Sequence, residues 1–225
     1  MSTKKISQTR TVYEHLRTSI ISGGLNPGTK LVISSLANTL QVSLGAVREG
    51  LAMLEAEELV VSTQGKGYNV SPISISDLKQ LVSARIAIEK LCLTASIEHG
   101  DVEWESIVVS SFHRLERTPT HNAQNKRYIN EDWATAHADF HYAIVSACDN
   151  KWLLKLYNIL YAQSERYRRL ATLQSNTDRN IQNEHQQLFD AVIARDIKKA
   201  QQALATHLKN TEQQMLNTMK NTNSD

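Results

Sequence analysis

The chain has 225 residues, 41% of them hydrophobic, and a formal net charge of only +2. This length suits one large or two smaller domains, and no run approaches the roughly 18 apolar residues of a membrane-spanning helix. The basic N-terminus (Lys4, Lys5, Arg10) leads into no apolar core, which does not read as a secretory signal, so a cytoplasmic protein is expected.

The charge is unevenly placed. Residues 1–72 hold seven Lys/Arg against five Glu, whereas residues 73–225 hold eighteen of each sign. A local basic excess favours contact with phosphates. Cys92 and Cys148 lie far apart without CxxC spacing and within apolar helical patterns, and they are expected as buried, reduced thiols.

Residues 11–22 are amphipathic, with Val12, Leu16 and Ile20 at helical spacing. Gly23 and Gly24 end that helix, and Asn26-Pro27-Gly28 makes a turn. Ser34 and Ser35 offer a cap for a second helix whose apolar positions are Leu36, Ala37 and Leu40. Val42-Ser43 forms a break. A third helix is expected from Leu44 to Glu57 or Glu58, with Val47, Leu51 and Leu54 facing inward. Residues 59–62 and 68–70 read as two strands, joined at a Gly65-Lys66-Gly67 tip. This order of elements is that of a winged helix-turn-helix, in which the second helix of the pair enters the major groove of DNA.

Four positions are expected to carry the contact. Ser43 and Gly45 begin the recognition helix, where a hydroxyl and backbone N–H groups can meet phosphate. Arg48 lies one turn in on the outward face and can fork onto guanine or phosphate. Lys66 sits at the wing tip. The competing reading of Arg48 is a surface ion pair with Glu49 or Glu55.

Pro72 closes the DNA-binding domain at residues 1–72, and residues 73–76 form a linker. Helical periodicity then dominates residues 77–98, 102–117, 128–148, 151–173, 178–194 and 197–218, with a polar tail at 221–225. The expected class is therefore mainly α: a winged helix-turn-helix with a small β wing, followed by an all-helical bundle over residues 77–220.

Residues 11–72 resemble the N-terminal domain of GntR-type bacterial transcription regulators. The resemblance rests on Gly23 to Gly28, Leu31, Leu36-Ala37, Val42-Ser43, Val47-Arg48-Glu49, Leu51, Leu54, Leu59-Val60 and Gly67. One departure matters. That family usually has arginine after the Val-Ser pair, and this chain has Leu44, with Gly45 and Ala46 in place of the usual Thr/Ser and Pro. One charge-assisted contact is lost, and more of the reading falls on Arg48.

Four of the eight histidines fall on inward stripes of the helical region. His137 and His141 are four apart, on a face shared with Trp133, Ile144 and Cys148. His185 shares a stripe with Ile181, Leu188 and Val192, and His207 with Ala200, Leu204 and Met215. Buried polar groups need partners. Four imidazoles meeting in a bundle can find one in a divalent metal; the alternative is a hydrogen-bonded core.

About residues 77–215 resemble the FCD effector domain of the FadR branch of GntR regulators, and the Trp133-x3-His137-x3-His141 segment with Ala147-Cys148-Asp149-Asn150 is similar to a CsiR-like group within it. The resemblance implies a metal held by an Asp-x3-His pair and two later histidines. Here His141 matches the helix histidine, His185 and His207 match the later two, and His137 replaces the aspartate. Losing that carboxylate favours Zn(II) or Ni(II) over Mn(II). The resemblance further implies a small carboxylate effector beside the metal, with Arg85 as its guanidinium partner; the alternative for Arg85 is a salt bridge to Glu89. Arg166 and Arg169 are further candidates.

The expected function is a non-enzymatic, ligand-responsive regulator, a homodimer on operator DNA that represses until effector binds. The alternative is a metal-dependent hydrolase with an accessory nucleic-acid domain. It lacks support from any HExxH, nucleophile motif or placed general base.

Overall fold

The computed structural model describes residues 7–63, 65, 67–124, 129–172 and 179–222. The chain forms two compact units that divide between Ser74 and Ile75.

The first unit begins with α1 (Gln8–Ile21), capped by the Ser7 side chain, which accepts from the Arg10 N–H. Val12, Leu16 and Ile20 recur one turn apart and are buried. Next come α2 (Ile33–Leu40) and α3 (Leu44–Ala56). Gln41, with φ of 54°, ends α2 in the left-handed region, and the Ser43 hydroxyl caps α3 by accepting from Ala46 N–H at 3.1 Å. Val47, Leu51 and Leu54 face Val12, Leu16, Ile20 and Leu59 in one core. Full burial of each such side chain is worth about 1.5–3 kcal/mol. Gly50 lies where α3 crosses α1: a Cβ there would sit 2.7 Å from Val12 Cγ1.

Three short strands complete this unit: β1 (Lys30–Leu31), β2 (Val60–Thr63) and β3 (Gly67–Val70), antiparallel in the order β1-β3-β2. Val60 pairs with Val70 and Thr63 with Gly67. The expected two-strand wing is thus joined by an unforeseen third strand. The expected cap at Ser34 or Ser35 is also corrected. Helix α2 starts at Ile33 after an extended Val32, without a side-chain cap, so both serines lie inside the helix.

The second unit is a bundle of α4 (Ile75–His99), α5 (Val102–Arg117), α6 (Glu131–Ala143), α7 (Lys151–Thr172), α8 (Ile181–Ile193) and α9 (Ile197–Thr222). Helix α4 packs on α7 and α9, α8 packs on α9, and α5 packs on α6 and α8. The main departure concerns α6, expected over 128–148. Ile129 pairs with His121 in an isolated antiparallel bridge, and Asn130 caps the helix by accepting from Asp132 N–H. At the other end Val145, Ser146 and Cys148 each bond three residues back, so the chain tightens into turns from Ile144. Cys92 and Cys148 are buried free thiols. Among the described residues no helix is long and apolar enough to cross a membrane.

Candidate metal centre and DNA-reading surface

Helix α6 projects His137 and His141 inward one turn apart, while α8 supplies His185 and α9 supplies His207. All four are buried, and one ring nitrogen from each lies within 4.8 Å of the other three. The Nε2 atoms of His141 and His185 are 3.4 Å apart. That is long for a hydrogen bond, but two nitrogens each about 2.1 Å from one tetrahedral ion are separated by about the same distance. The cluster can hold a divalent ion.

Burial pushes all four imidazoles below the ordinary histidine range, and mutual repulsion among them adds to the effect for His137, His141 and His185. The rings are therefore neutral, the state that offers lone pairs to a metal.

Two neighbours orient these rings. His207 Nδ1 lies 2.9 Å from Glu184 Oε2. Burial works to raise the Glu184 carboxyl, but hydrogen bonds from Arg179, His207 and Asn210 outweigh it and hold the group well below the usual carboxylate range. An ionised Glu184 only accepts, so His207 carries its proton on Nδ1 and leaves Nε2 free. His137 Nδ1 faces the Tyr161 hydroxyl at 3.1 Å. Among the described residues nothing hydrogen-bonds to His141 Nδ1, which is buried.

Arg85, on α4, is buried beside the histidines. Its Nε donates to Glu89 Oε1 and its Nη1 to Ser164 Oγ, both at 2.7 Å, and its guanidinium lies over the Tyr161 ring. Arg85 forms the Glu89 salt bridge that was its alternative reading, and it also lines a cavity with His137, His141 and His207. That cavity is only about 20 Å³. It has room for an ion or one water, so a larger guest requires the walls to move.

The arginines of α7 sort differently from expectation. Arg168 lines the cavity, pairs with Glu165 and lies over the Trp133 ring. Arg166 donates to Gln163, and Arg169 to Glu165 and Glu131; neither lines the cavity. Asp139 pairs with Arg114 on the outside of α6. Glu184, Tyr161, Ser164 and Arg168 were not anticipated. The last three share one stripe of α7 at spacings of three and four, a pattern legible in principle. Glu184 was hidden because it adjoins His185 and therefore falls off the buried stripe.

In the first unit, Ser43, Gly45 and Arg48 are exposed on the first turns of α3. Ser43 N–H donates to Gln8 Oε1. An added Cβ on Gly45 would approach nothing closer than Ser43 Oγ at 3.9 Å. The two acids weighed as partners for Arg48 are engaged elsewhere. Glu49 accepts from Thr9 Oγ1 at 2.7 Å, and Glu55 from Ser62 N–H at 3.2 Å. Lys66 lies outside the described residues.

Comparison with known proteins agrees with both halves. Residues 8–70 match the gntR family of bacterial regulatory proteins, and residues 80–210 match the FCD domain. The HTH-type transcriptional regulator BphR of Paraburkholderia xenovorans is 38% identical over 199 residues, spanning 88% of this chain and 81% of its own length. The HTH-type transcriptional repressor GlaR of Escherichia coli is 32% identical over 200 residues, spanning 87% and 90%. A GntR regulator from Rhodococcus sp. RHA1 shares the fold, with a TM-score of 0.75 at 23% identity, over 94% of this chain and 99% of that one.

Proposed function

The chain belongs to the GntR family of bacterial regulatory proteins, with an FCD domain, and is a DNA-binding transcription regulator; from this premise we propose that it is a homodimeric repressor governed by a small carboxylate bound beside a divalent metal. His137, His141, His185 and His207 hold the metal, with Zn(II) or Ni(II) favoured by an all-imidazole set. A bound metal would supply a Lewis-acidic point for one carboxylate oxygen in a shell expanded beyond the four imidazoles, and Arg85 would grip the other oxygen.

The observation that carries this reading is the convergence of four buried imidazoles from three helices, three of which (His137, His141 and His207) line a small cavity with Arg85. A hydrogen-bonded core would not need four buried rings turned toward one point. Ser43 at the N-cap of α3, Gly45 and Arg48 within it, and Lys66, which lies outside the described residues, contact operator DNA, and a two-fold dimer matches a palindromic site. That GlaR is named a repressor supports repression here. For the effector to act, it must bind the DNA-competent and DNA-released states with different affinity.

The test is to purify the protein without chelator or nickel resin and measure metal per chain, then titrate small mono- and dicarboxylates against operator binding. About one divalent ion per chain and a carboxylate that releases DNA are expected. Absence of metal even after incubation with Zn(II) or Ni(II) would overturn the metal centre. Indifference of DNA affinity to every carboxylate would overturn the effector assignment.

A further inference from the structure

Leu44 is the first residue of α3, yet it takes no part in the core of its unit. Val47, Leu51 and Leu54 fill that core, while Leu44 remains 49% exposed. The outward stripe of α3 runs from Leu44 to Arg48 and Ala52 at four-residue spacing, and all three are exposed. Gly45 beside Leu44 presents no side chain, so nothing on that flank holds the helix off a surface. An exposed leucine alone needs no explanation. This one stands at the end of the helix that a helix-turn-helix points at base edges.

The chemistry of the groove narrows what Leu44 can meet there. A leucine neither donates nor accepts a hydrogen bond, so it cannot satisfy guanine, adenine or cytosine edges. The one methyl group in the major groove is the C5-methyl of thymine, the largest apolar feature a leucine can pack on there. Phosphate is left to Ser43, to the N–H groups of the first turn and to basic side chains.

We infer that Leu44 is a specificity-determining residue that packs on a thymine methyl in each operator half-site, next to the position read by Arg48. The inference rests on α3 being the DNA-reading helix, and the experiment separates the two.

Full-length protein is used to select duplexes from a random-sequence pool. Each thymine of the selected duplex is then replaced in turn by deoxyuridine, which removes only the methyl. Wild-type protein is expected to lose about fourfold in affinity at one thymine per half-site, the effect of one buried methyl. Leu44→Ala is expected to bind more weakly and to be indifferent at that same thymine, so the two losses do not add. Leu44→Arg is expected to shift the selected base at that position toward guanine. Wild type indifferent to every deoxyuridine, or Leu44→Ala as sensitive as wild type, would overturn the inference. Arg48→Ala is measured alongside: if it too leaves affinity unchanged, α3 is not the reading helix and the failure lies in that premise instead.

Discussion

The Glu184 carboxylate receives the Nδ1–H of His207 at 2.9 Å, so a residue next to one histidine in sequence orients another histidine on a different helix. Arg179 completes the arrangement, donating to Glu184, to the His207 carbonyl and to Thr211. The start of α8 is thereby tied to the middle of α9.

Partners of this kind usually contribute ten- to a hundredfold to metal affinity by fixing the tautomer and raising ligand basicity. Glu184→Ala is expected to weaken metal binding by about that factor, with Glu184→Gln intermediate because its carbonyl oxygen still accepts. Competition against a chromophoric chelator reads the change. Equal affinity in all three proteins would mean that Glu184 serves only to hold α8 on α9.

The neutral imidazoles predict a pH dependence for the metal-free protein. Each of the four has its folded-state pKa lowered by burial, while in the unfolded chain it titrates near about 6.5. Below that pH the unfolded state binds more protons, so stability is full above about pH 6.5 and is lost as the pH falls. The slope approaches about 1.4 kcal/mol per pH unit for each histidine that stays neutral. Urea unfolding of chelated protein between pH 7.5 and 5.5 measures it. His141→Asn should flatten the slope by one proton; an unchanged slope would mean that His141 is protonated in the folded state.

Arg85 and Glu89 form an ion pair with side chains 6% and 1% exposed. Burial pushes the Glu89 carboxyl up, and Arg85 works against that push. Removing one partner of such a pair typically costs about 3–5 kcal/mol, whereas replacing both is far milder. Arg85→Met is expected to be strongly destabilised, and Arg85→Met with Glu89→Gln to recover most of the loss. The double variant should still bind operator but no longer respond to carboxylate. Thermal melts and operator titrations check the two halves independently.

On the DNA side, Arg48→Ala should weaken specific binding by about 1–3 kcal/mol if the guanidinium reads a base. If it meets only phosphate, the loss should be uniform across sequences and the salt slope should fall by about one. Affinities for selected and scrambled duplexes at several salt concentrations distinguish these. No change in either, with Leu44→Ala equally silent, would mean that α3 is not the DNA-reading helix.

What the sequence disclosed follows from where each interaction lies along the chain. The helix-turn-helix was legible because Val12, Leu16 and Ile20, and then Val47, Leu51 and Leu54, recur at helical spacing between clear breaks. The four histidines were legible for the same reason: each shares a stripe with buried apolar neighbours. Strand β1 was not, because two residues show no alternation and Lys30–Leu31 becomes a strand only by pairing with Asn69 and Tyr68. The length of α6 was overestimated because apolar periodicity continues through Ile144 and Val145 after the helical bonds have given way to turns. The sequence does not distinguish Arg168 from Arg166 and Arg169 because a charged cluster does not reveal which member faces inward. Glu184 acts across helices, and no local pattern encodes that.

The close crossing of α1 and α3 at Gly50 has an evolutionary corollary. With a Cβ at position 50 only 2.7 Å from Val12 Cγ1, that pair of positions can drift only together. A methyl gained on α3 must be matched by volume shed on α1. Relatives that place alanine at the crossing are therefore expected to carry a smaller residue opposite it, or to set the reading helix at a different tilt. In such relatives the same exposed α3 side chains would address different base pairs.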